Sequence, residues 1–476
     1  MQITMSPYYG KPDFSDIAAG SGRQIDTVSV ADLLRNAFVY PPHSIYEDVK
    51  LVTFGFSPQH DMRSEPMFKF KWRNAGEVPE VAAHPQDWIA VYHQKLVDAI
   101  RHSCASMQSP WLLQSGGKDS TTLAIALRDA RPDVTCITYL GGREENELES
   151  ASAVADKLGL RHEVLICDPG RAYDRYLNLV ASMPLLTADF ALLSYADLGT
   201  EIKLHGGDGI IDGLGSDSYF GTPTDRQHWL LAQLARGLRM PLDITALPGL
   251  ERNFQLCFLL GTLQMHPIER VFPGSRFSDA EVDELFGAPM AERSHARLAL
   301  FREEIGSATT SWEWRDMSMS IAGSAGAFAQ GLYTSHALGL EAAYPFCDPD
   351  LREWVHHEVP RRQKVDPETG VNKMLIRRHI ASHFGELPYV QRKGSFRFDV
   401  SGLAAQRFDQ VRDFAVRLDD LLPGATRWLD RNRRRLDNKY HASKFYLLAV
   451  VLPWLVAHAA DAAVAAPDPR QASMAA

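Results

Sequence analysis

Apolar positions along the chain change their spacing from one region to the next. Residues 1–30 are polar and turn-rich with no clear period. From Val28 to Phe56 the order reads helix, turn, strand. VSVADLLRNAF carries helical spacing, Pro41 and Pro42 stop it, and IYEDVKLVTFGF alternates as a strand does. MFKFKWRN (67–74) predicts a further strand of an antiparallel pair, and Gly76 to Pro85 reads as a loop and domain boundary. Trp88, Val91, Leu96 and Ile100 place one apolar stripe on a helix over Asp87 to Ser103. Strands then alternate with helices: WLLQ, a helix after Ser120, VTCITYL, a helix from Glu147, and HEVLIC. That βαβαβ order predicts an α/β fold, a parallel sheet with helices on both faces. From about residue 225 the pattern is mainly helical. Phe445 to Val456 is too short for the ~20 residues a bilayer span takes and reads as a buried helix. The final AAPDPRQASMAA is expected to be disordered, and no solenoid-type repeat is present.

Composition narrows the field. The 476 residues are 45% apolar and 23% charged, ordinary globular values that exclude a collagen-like or wholly disordered chain. Fifty basic residues against 59 acidic ones give a formal charge of -9, so nucleic acid is not an expected partner. Five scattered cysteines without a C-x-x-C pair read as reduced thiols in the cytoplasm. The N-terminus has neither the basic nor the apolar region of a signal peptide, and no membrane association is expected.

The most informative segment is Ser115-Gly116-Gly117-Lys118-Asp119-Ser120, between an apolar strand and a helix. Two glycines admit close approach of a polyphosphate, and hydroxyls and N–H groups at a helix start supply donors. Asp119 adds a hard oxygen ligand suited to Mg²⁺. A capped glycine turn would contain some of these residues, but the full S-G-G-x-D-S at a strand–helix junction favours phosphate. No G-x-x-x-x-G-K-[ST] occurs, so γ-phosphate transfer on a Walker loop is not implied.

The hexapeptide resembles the PP-loop of the N-type ATP pyrophosphatases, and three further segments resemble the asparagine synthetase and β-lactam synthetase group within them. Asp212-Gly213-Leu214-Gly215-Ser216-Asp217-Ser218-Tyr219-Phe220-Gly221 is similar to the family's S-G-x-G-[SA]-D-E-x-F-G. Gly339 to Asp348 (GLEAAYPFCD) is similar to G-[VI]-E-x-R-x-P-F-L-D, followed by Gly370 to Arg377 (GVNKMLIR) for G-x-x-K-x-x-[IL]-R. Leu387 to Phe396 (LPYVQRKGSF) resembles the family's basic loop, one residue shorter. The likeness runs from about Asp87 to His458.

The resemblance implies a HUP-like sheet that binds ATP, with Mg²⁺ held by Asp119 and Asp217 and with Lys393, backed by Arg392, neutralising the departing pyrophosphate. It implies nucleotide contacts from Leu113, Ser115, Gly116, Gly117, Lys118, Asp119, Ser120, Tyr139, Gly213, Gly215 and Lys393. Lys118 replaces a usual small or apolar residue, and contact with phosphate or with solvent are both open. Ser218 stands where the family has Glu, and Leu214 where relatives carry the Glu or Tyr associated with amine attack. Leucine accepts no proton, so either the base lies elsewhere, with Glu341, Tyr219 and Tyr344 as substitutes to consider and Glu341 as the catalytic candidate, or the nucleophile arrives already neutral. Glu147 is singled out from an acidic helix start, since relatives place an acid near there. His162, His356 and His357 lack partners at zinc spacing and read as structural. The run Arg431 to Arg435 reads as a solvated helix face or a contact for an acidic partner.

These implications give an expected ligase: a substrate carboxylate, small or in a short peptide, is adenylated, and an amine of the same or a second molecule displaces AMP. Specialised-metabolite, antibiotic-type chemistry is the expected setting. Ammonia-dependent asparagine synthesis and an inactive nucleotide-binding module are the alternatives. Residue 2 is Gln and no cysteine precedes Cys104, so glutamine hydrolysis is not expected. The expected organisation is a truncated, non-catalytic glutaminase-like segment over 1–85, the synthetase over 86–464 and a tail over 465–476, with room for self-association as a homodimer.

Overall fold

The computed structural model describes residues 1–17, 22–59, 67–71, 87–141, 145–220, 252–266, 269, 276–308, 311–385 and 398–459. Its N-terminal part contains β1 (Gln2–Met5), α1 (Thr27–Asn36), β2 (Val49–Val52), β3 (Phe56–Gln59) and β4 (Met67–Phe70). Asp26 caps α1 by accepting from Val28 N at 3.0 Å and Ser29 N at 3.4 Å. The helix ends at Asn36, before the prolines expected to stop it, because Ala37 turns left-handed at φ 69°. β3 and β4 form the expected antiparallel pair. β2 instead pairs in parallel with β1. Only Thr4 of that first strand is buried, so no apolar alternation marked it in the sequence.

The central sheet contains β5 (Pro110–Leu113), β6 (Thr135–Leu140), β7 (Arg161–Ile166), β8 (Gly209–Ile211) and β9 (Glu341–Ala343). Its order is β7-β6-β5-β8-β9, and every pairing is parallel. All four residues of β5 are buried, as a central parallel strand requires, whereas edge strand β7 exposes Arg161 and Ile166. α2 (Trp88–Ser103), α3 (Lys118–Ala130), α4 (Glu145–Leu158), α5 (Pro169–Leu179) and α6 (Leu192–Leu204) connect or flank these strands, giving the expected α/β architecture. From β5 the chain moves to β6 on one side and later returns to β8 on the other. That reversal creates a topological switch point, where open α/β sheets bind ligands outside the carboxyl ends of their strands.

After β8 come α7 (Asp217–Phe220), α8 (Asp279–Phe286), α9 (Met290–Ala296), α10 (Phe328–Leu338), α11 (Met374–Phe384), α12 (Val400–Arg417) and α13 (Lys439–Ala459), with further helices between them. Among the described residues one stretch, Lys439–His458, is long and apolar enough to cross a membrane, and 89% of its apolar window is buried within the protein. It is a core helix, as expected of Phe445 to Val456. The basic run is partly employed in packing: Arg431 donates twice to Glu284 at 2.7 Å, and Arg433 lies 4.4 Å from the Phe408 ring centre. The boundary expected at Gly76 to Pro85 and the tail expected from 465 lie outside the described residues.

The N-terminal part shares a core with the sheet. Tyr8, Phe14, Leu33 and Leu34 belong to one apolar cluster with Leu112, Ile137 and Trp454. A buried ionic network reinforces this attachment. Arg35 of α1 donates to Glu269 at 2.8 Å, to Asp279 at 3.1 Å and to Ser294 at 2.8 Å, and Tyr40 donates to Glu269 at 2.6 Å. Burial alone would raise the Glu269 carboxyl pKa, but Arg35, His295 and Arg276 together outweigh it and hold the group well below its usual value. Removing one partner of such a buried pair leaves an uncompensated charge and costs ~3–5 kcal/mol. Arg35→Met is therefore expected to lower stability by about that much in urea unfolding. A change under ~1 kcal/mol would mean that the network does not anchor α1.

Candidate active site

The loop after β5 turns directly into α3. Ser120 Oγ donates to Ser115 O at 2.5 Å and Thr121 Oγ1 to Gly117 O at 2.8 Å, folding the loop over the helix start. The first amide bonded in the helical direction is Thr121 N, to Gly117 O at 3.1 Å. The preceding amides are those an α-helix cannot satisfy internally, and they make a helix start receptive to anions. A Cβ on Gly116 would lie 2.9 Å from Glu147 O, so α4 packs too close for any side chain there. That contact also brings the acidic start of α4 beside the loop. Leu113 ends β5, and Tyr139 lies near the end of neighbouring β6.

The loop after β8 meets the first loop across the switch point. A Cβ on Gly213 would lie 3.3 Å from Asp119 Cβ. Gly215 adopts φ +106°, and its Cβ would approach Cys347 Sγ to 3.1 Å, so glycine suits both the backbone and the space. Asp212 accepts from Leu214 N at 3.1 Å and from the Tyr195 hydroxyl, fixing the loop's entry. Ser216 Oγ donates to Asp119 Oδ1 at 2.8 Å.

Lys373, immediately before α11, completes the cluster. Its Nζ donates to Asp119 Oδ1 and Oδ2 at 2.7 and 2.8 Å and to Ser216 Oγ at 3.0 Å, and it pairs with Asp217 Oδ1 at 2.7 Å. The Lys373 side chain is 5% exposed and that of Asp217 40% exposed. Burial alone would lower the ammonium pKa, but Asp119 and Asp217 outweigh it and hold the pKa above its usual value. Two carboxylates thus converge on one cation, with Asp217 open to the outside. Such a hard oxygen pair suits Mg²⁺, and the α3 start suits phosphate, so the residues present fit both parts of Mg²⁺–ATP.

The family model described as asparagine synthase matches residues 92–432. The chain belongs to the asparagine synthase family. Its membership supports an ATP-dependent, amide-forming synthetase, that is, an ATP-using C–N ligase. No curated protein matches the chain. Solved structures with local similarity include an NH3-dependent NAD synthetase from Campylobacter jejuni, 16% identical over 31% of this chain and 73% of that one, with a TM-score of 0.22. An NMN synthetase from Francisella tularensis is 20% identical over 28% of this chain and 57% of its own, with a TM-score of 0.20. Likenesses at those scores carry no argument about activity.

In this family member the sequence candidates Ser115, Gly116, Gly117, Lys118, Asp119, Ser120, Gly213, Gly215 and Asp217 all lie on the two loops or the helix starts that follow them. Glu341 does not join them. It opens β9 opposite Gly209, at the amino end of the parallel sheet, and is bound by Ser106 Oγ at 2.5 Å and Lys11 Nζ at 3.1 Å. Parallel strands put their first and last residues at opposite edges, so Glu341 faces away from the switch point. Tyr344 is buried with its hydroxyl donating to Phe328 O at 3.3 Å, and burial followed by Asp212 pushes its pKa well up. It is a poor proton acceptor. Leu214 is half-buried against the main core. Lys393, Arg392 and the Tyr219 side chain lie outside the described residues. His162 is structural as expected, bonded to Thr138 Oγ1 at 2.7 Å and Ser152 Oγ at 3.2 Å.

The resemblance of the GVNKMLIR element assigns no role to Lys373, although a lysine within an apolar helix start is a usable signal. Lys373→Met removes the cation that pairs with the nearly buried Asp119, and it is expected to cost about 3–5 kcal/mol of stability. Adding Asp119→Asn is expected to recover part of that loss in urea unfolding. Strictly additive losses would show that the two side chains are not coupled.

Proposed function

We propose that the chain joins a carboxylic acid to an amine by way of an acyl-adenylate, releasing AMP and pyrophosphate. The observation that carries this reading is the convergence of both switch-point loops on Asp119, Asp217 and Lys373. In the first step a carboxylate oxygen of the substrate attacks the α phosphorus, and the α–β bridging bond breaks as pyrophosphate leaves. In the second step the amine attacks the acyl carbon and AMP departs, with the amine's extra proton passing to solvent. A mixed anhydride makes an otherwise unreactive carboxylate electrophilic at neutral pH.

The chain's residues supply alignment and fixed charge, the two contributions expected to matter most in such a transfer. The α3 start and Gly116–Gly117 cradle the polyphosphate, with Ser115 and Ser120 holding the loop's shape. Asp119 and Asp217 would hold Mg²⁺, which when bound neutralises charge on the phosphate oxygens. Lys373 holds those carboxylates in register through its contacts with both. Lys393 and Arg392 are the proposed partners of departing pyrophosphate. With Leu214 at the position of the relatives' Glu or Tyr, the amine enters neutral, and a substrate amine of the same or a second molecule is the proposed nucleophile. Lactam or amide formation in specialised metabolism accords with that choice. The N-terminal segment is proposed to serve packing rather than glutamine hydrolysis.

Incubation with ATP, Mg²⁺ and a panel of amino acids and short peptides is expected to yield AMP and pyrophosphate in equal amounts with the productive acid. Asp119→Asn is expected to abolish both products. ADP as the nucleotide product, or ATP binding without turnover across a broad acid and amine panel, would overturn the reading.

A further inference from the structure

Three histidines outside the nucleotide site converge between two helices. His93 lies on α2, and His379 and His383 lie one turn apart on α11. His93 Nδ1 and His379 Nε2 are 2.9 Å apart, and one ligand-capable nitrogen from each of the three rings lies within 4.8 Å of the other two. Zn–N bonds of about 2.0–2.1 Å set tetrahedral donors roughly 3.3 Å apart, a spacing within reach of these rings by small rotations. His379 is fully buried, His93 half-buried and His383 exposed, so the cluster has a fixed floor and an open side for entry.

The opposite ring nitrogens are also engaged. His93 Nε2 lies 3.1 Å from Asp129 Oδ2, and His379 Nδ1 lies 2.7 Å from Thr122 Oγ1. Both partners are on α3. An imidazole whose outer nitrogen is held by a carboxylate or hydroxyl presents its inner nitrogen in a fixed direction, the usual support of a metal ligand. Imidazole donors suit zinc-type cations and are poor ligands for Mg²⁺, which separates this cluster chemically from Asp119 and Asp217.

We propose that His93, His379 and His383 bind a zinc-type divalent cation with water in the remaining position, clasping α2 and α11 over α3. The consequence is structural. Lys373 precedes α11 by one residue, and His379 stands ~9 Å further along the helix at 1.5 Å per residue. Asp119 and Thr122 are similarly close on α3. A cation in the clasp ties α2 to α11, and the outer hydrogen bonds to Asp129 and Thr122 brace that pair against α3, whose start carries Asp119.

The test uses full-length protein without a histidine tag, stripped with a chelator and titrated with Co²⁺ as a coloured substitute for Zn²⁺. A ligand-field band saturating at one equivalent, bleached by one equivalent of Zn²⁺, is expected, together with a Zn²⁺-dependent rise in Tm. His383→Ala, at an exposed position, is expected to remove the band and the rise while leaving the metal-free Tm unchanged. Asp129→Asn is expected to weaken Zn²⁺ binding by about 10–100-fold. No band at one equivalent, or a band and Tm rise that survive His383→Ala, would overturn the site and leave the cluster as hydrogen-bonded packing.

Discussion

The ammonium of Lys373 stands between two carboxylates that arrive from opposite sides of the switch point. Asp119 comes from the helix after β5, and Asp217 from the helix after β8. Two like charges in a partly dry crevice repel, and a buried cation between them offsets that repulsion. Through Ser216 it also links the loops to each other. The parallel sheet sets where the loops emerge, and the lysine sets how close they come.

Much of this was legible because it is local. The strand–glycine–glycine–helix passage at 111–120 carries its own geometry, and the alternation of apolar strands and amphipathic helices predicts the parallel sheet. The second loop, 212–217, is legible only through its similarity to a known motif, and the structure brings it within contact of the first. Pairings between distant segments were less visible. Lys373 and Asp119 are 254 residues apart, and no periodicity couples them. Glu341 illustrates the opposite difficulty. A motif marked it, but its place at the first residue of β9 puts it on the far edge of the sheet. The parallel pairing of β1 with β2 was hidden because a short strand with one buried residue has no detectable alternation.

The histidine cluster follows the same rule. His379 and His383 share an i, i+4 spacing readable on one helix, while His93 reaches them only through the packing of α2 against α11. The N-terminal part likewise depends on tertiary contacts. Arg35, Glu269 and Asp279 form a buried cluster from three separate stretches of chain, and the apolar side chains around it continue into the sheet's core. The opening residues before α1 carry no period of their own, and Tyr8 and Phe14 among them are buried against the main core.

The proposed nucleotide site lies at the carboxyl edge of the sheet, and Glu341 lies at the amino edge. Calorimetric titration with ATP in the presence of Mg²⁺ tests that placement directly, using Asp217→Asn at one edge and Glu341→Gln at the other. Both side chains are partly exposed, so neither substitution should disturb the core. The prediction is a loss of about tenfold or more in ATP affinity for Asp217→Asn, ~1.4 kcal/mol per tenfold, with Glu341→Gln unchanged. The reverse result, with ATP affinity depending on Glu341 and indifferent to Asp217, would contradict it.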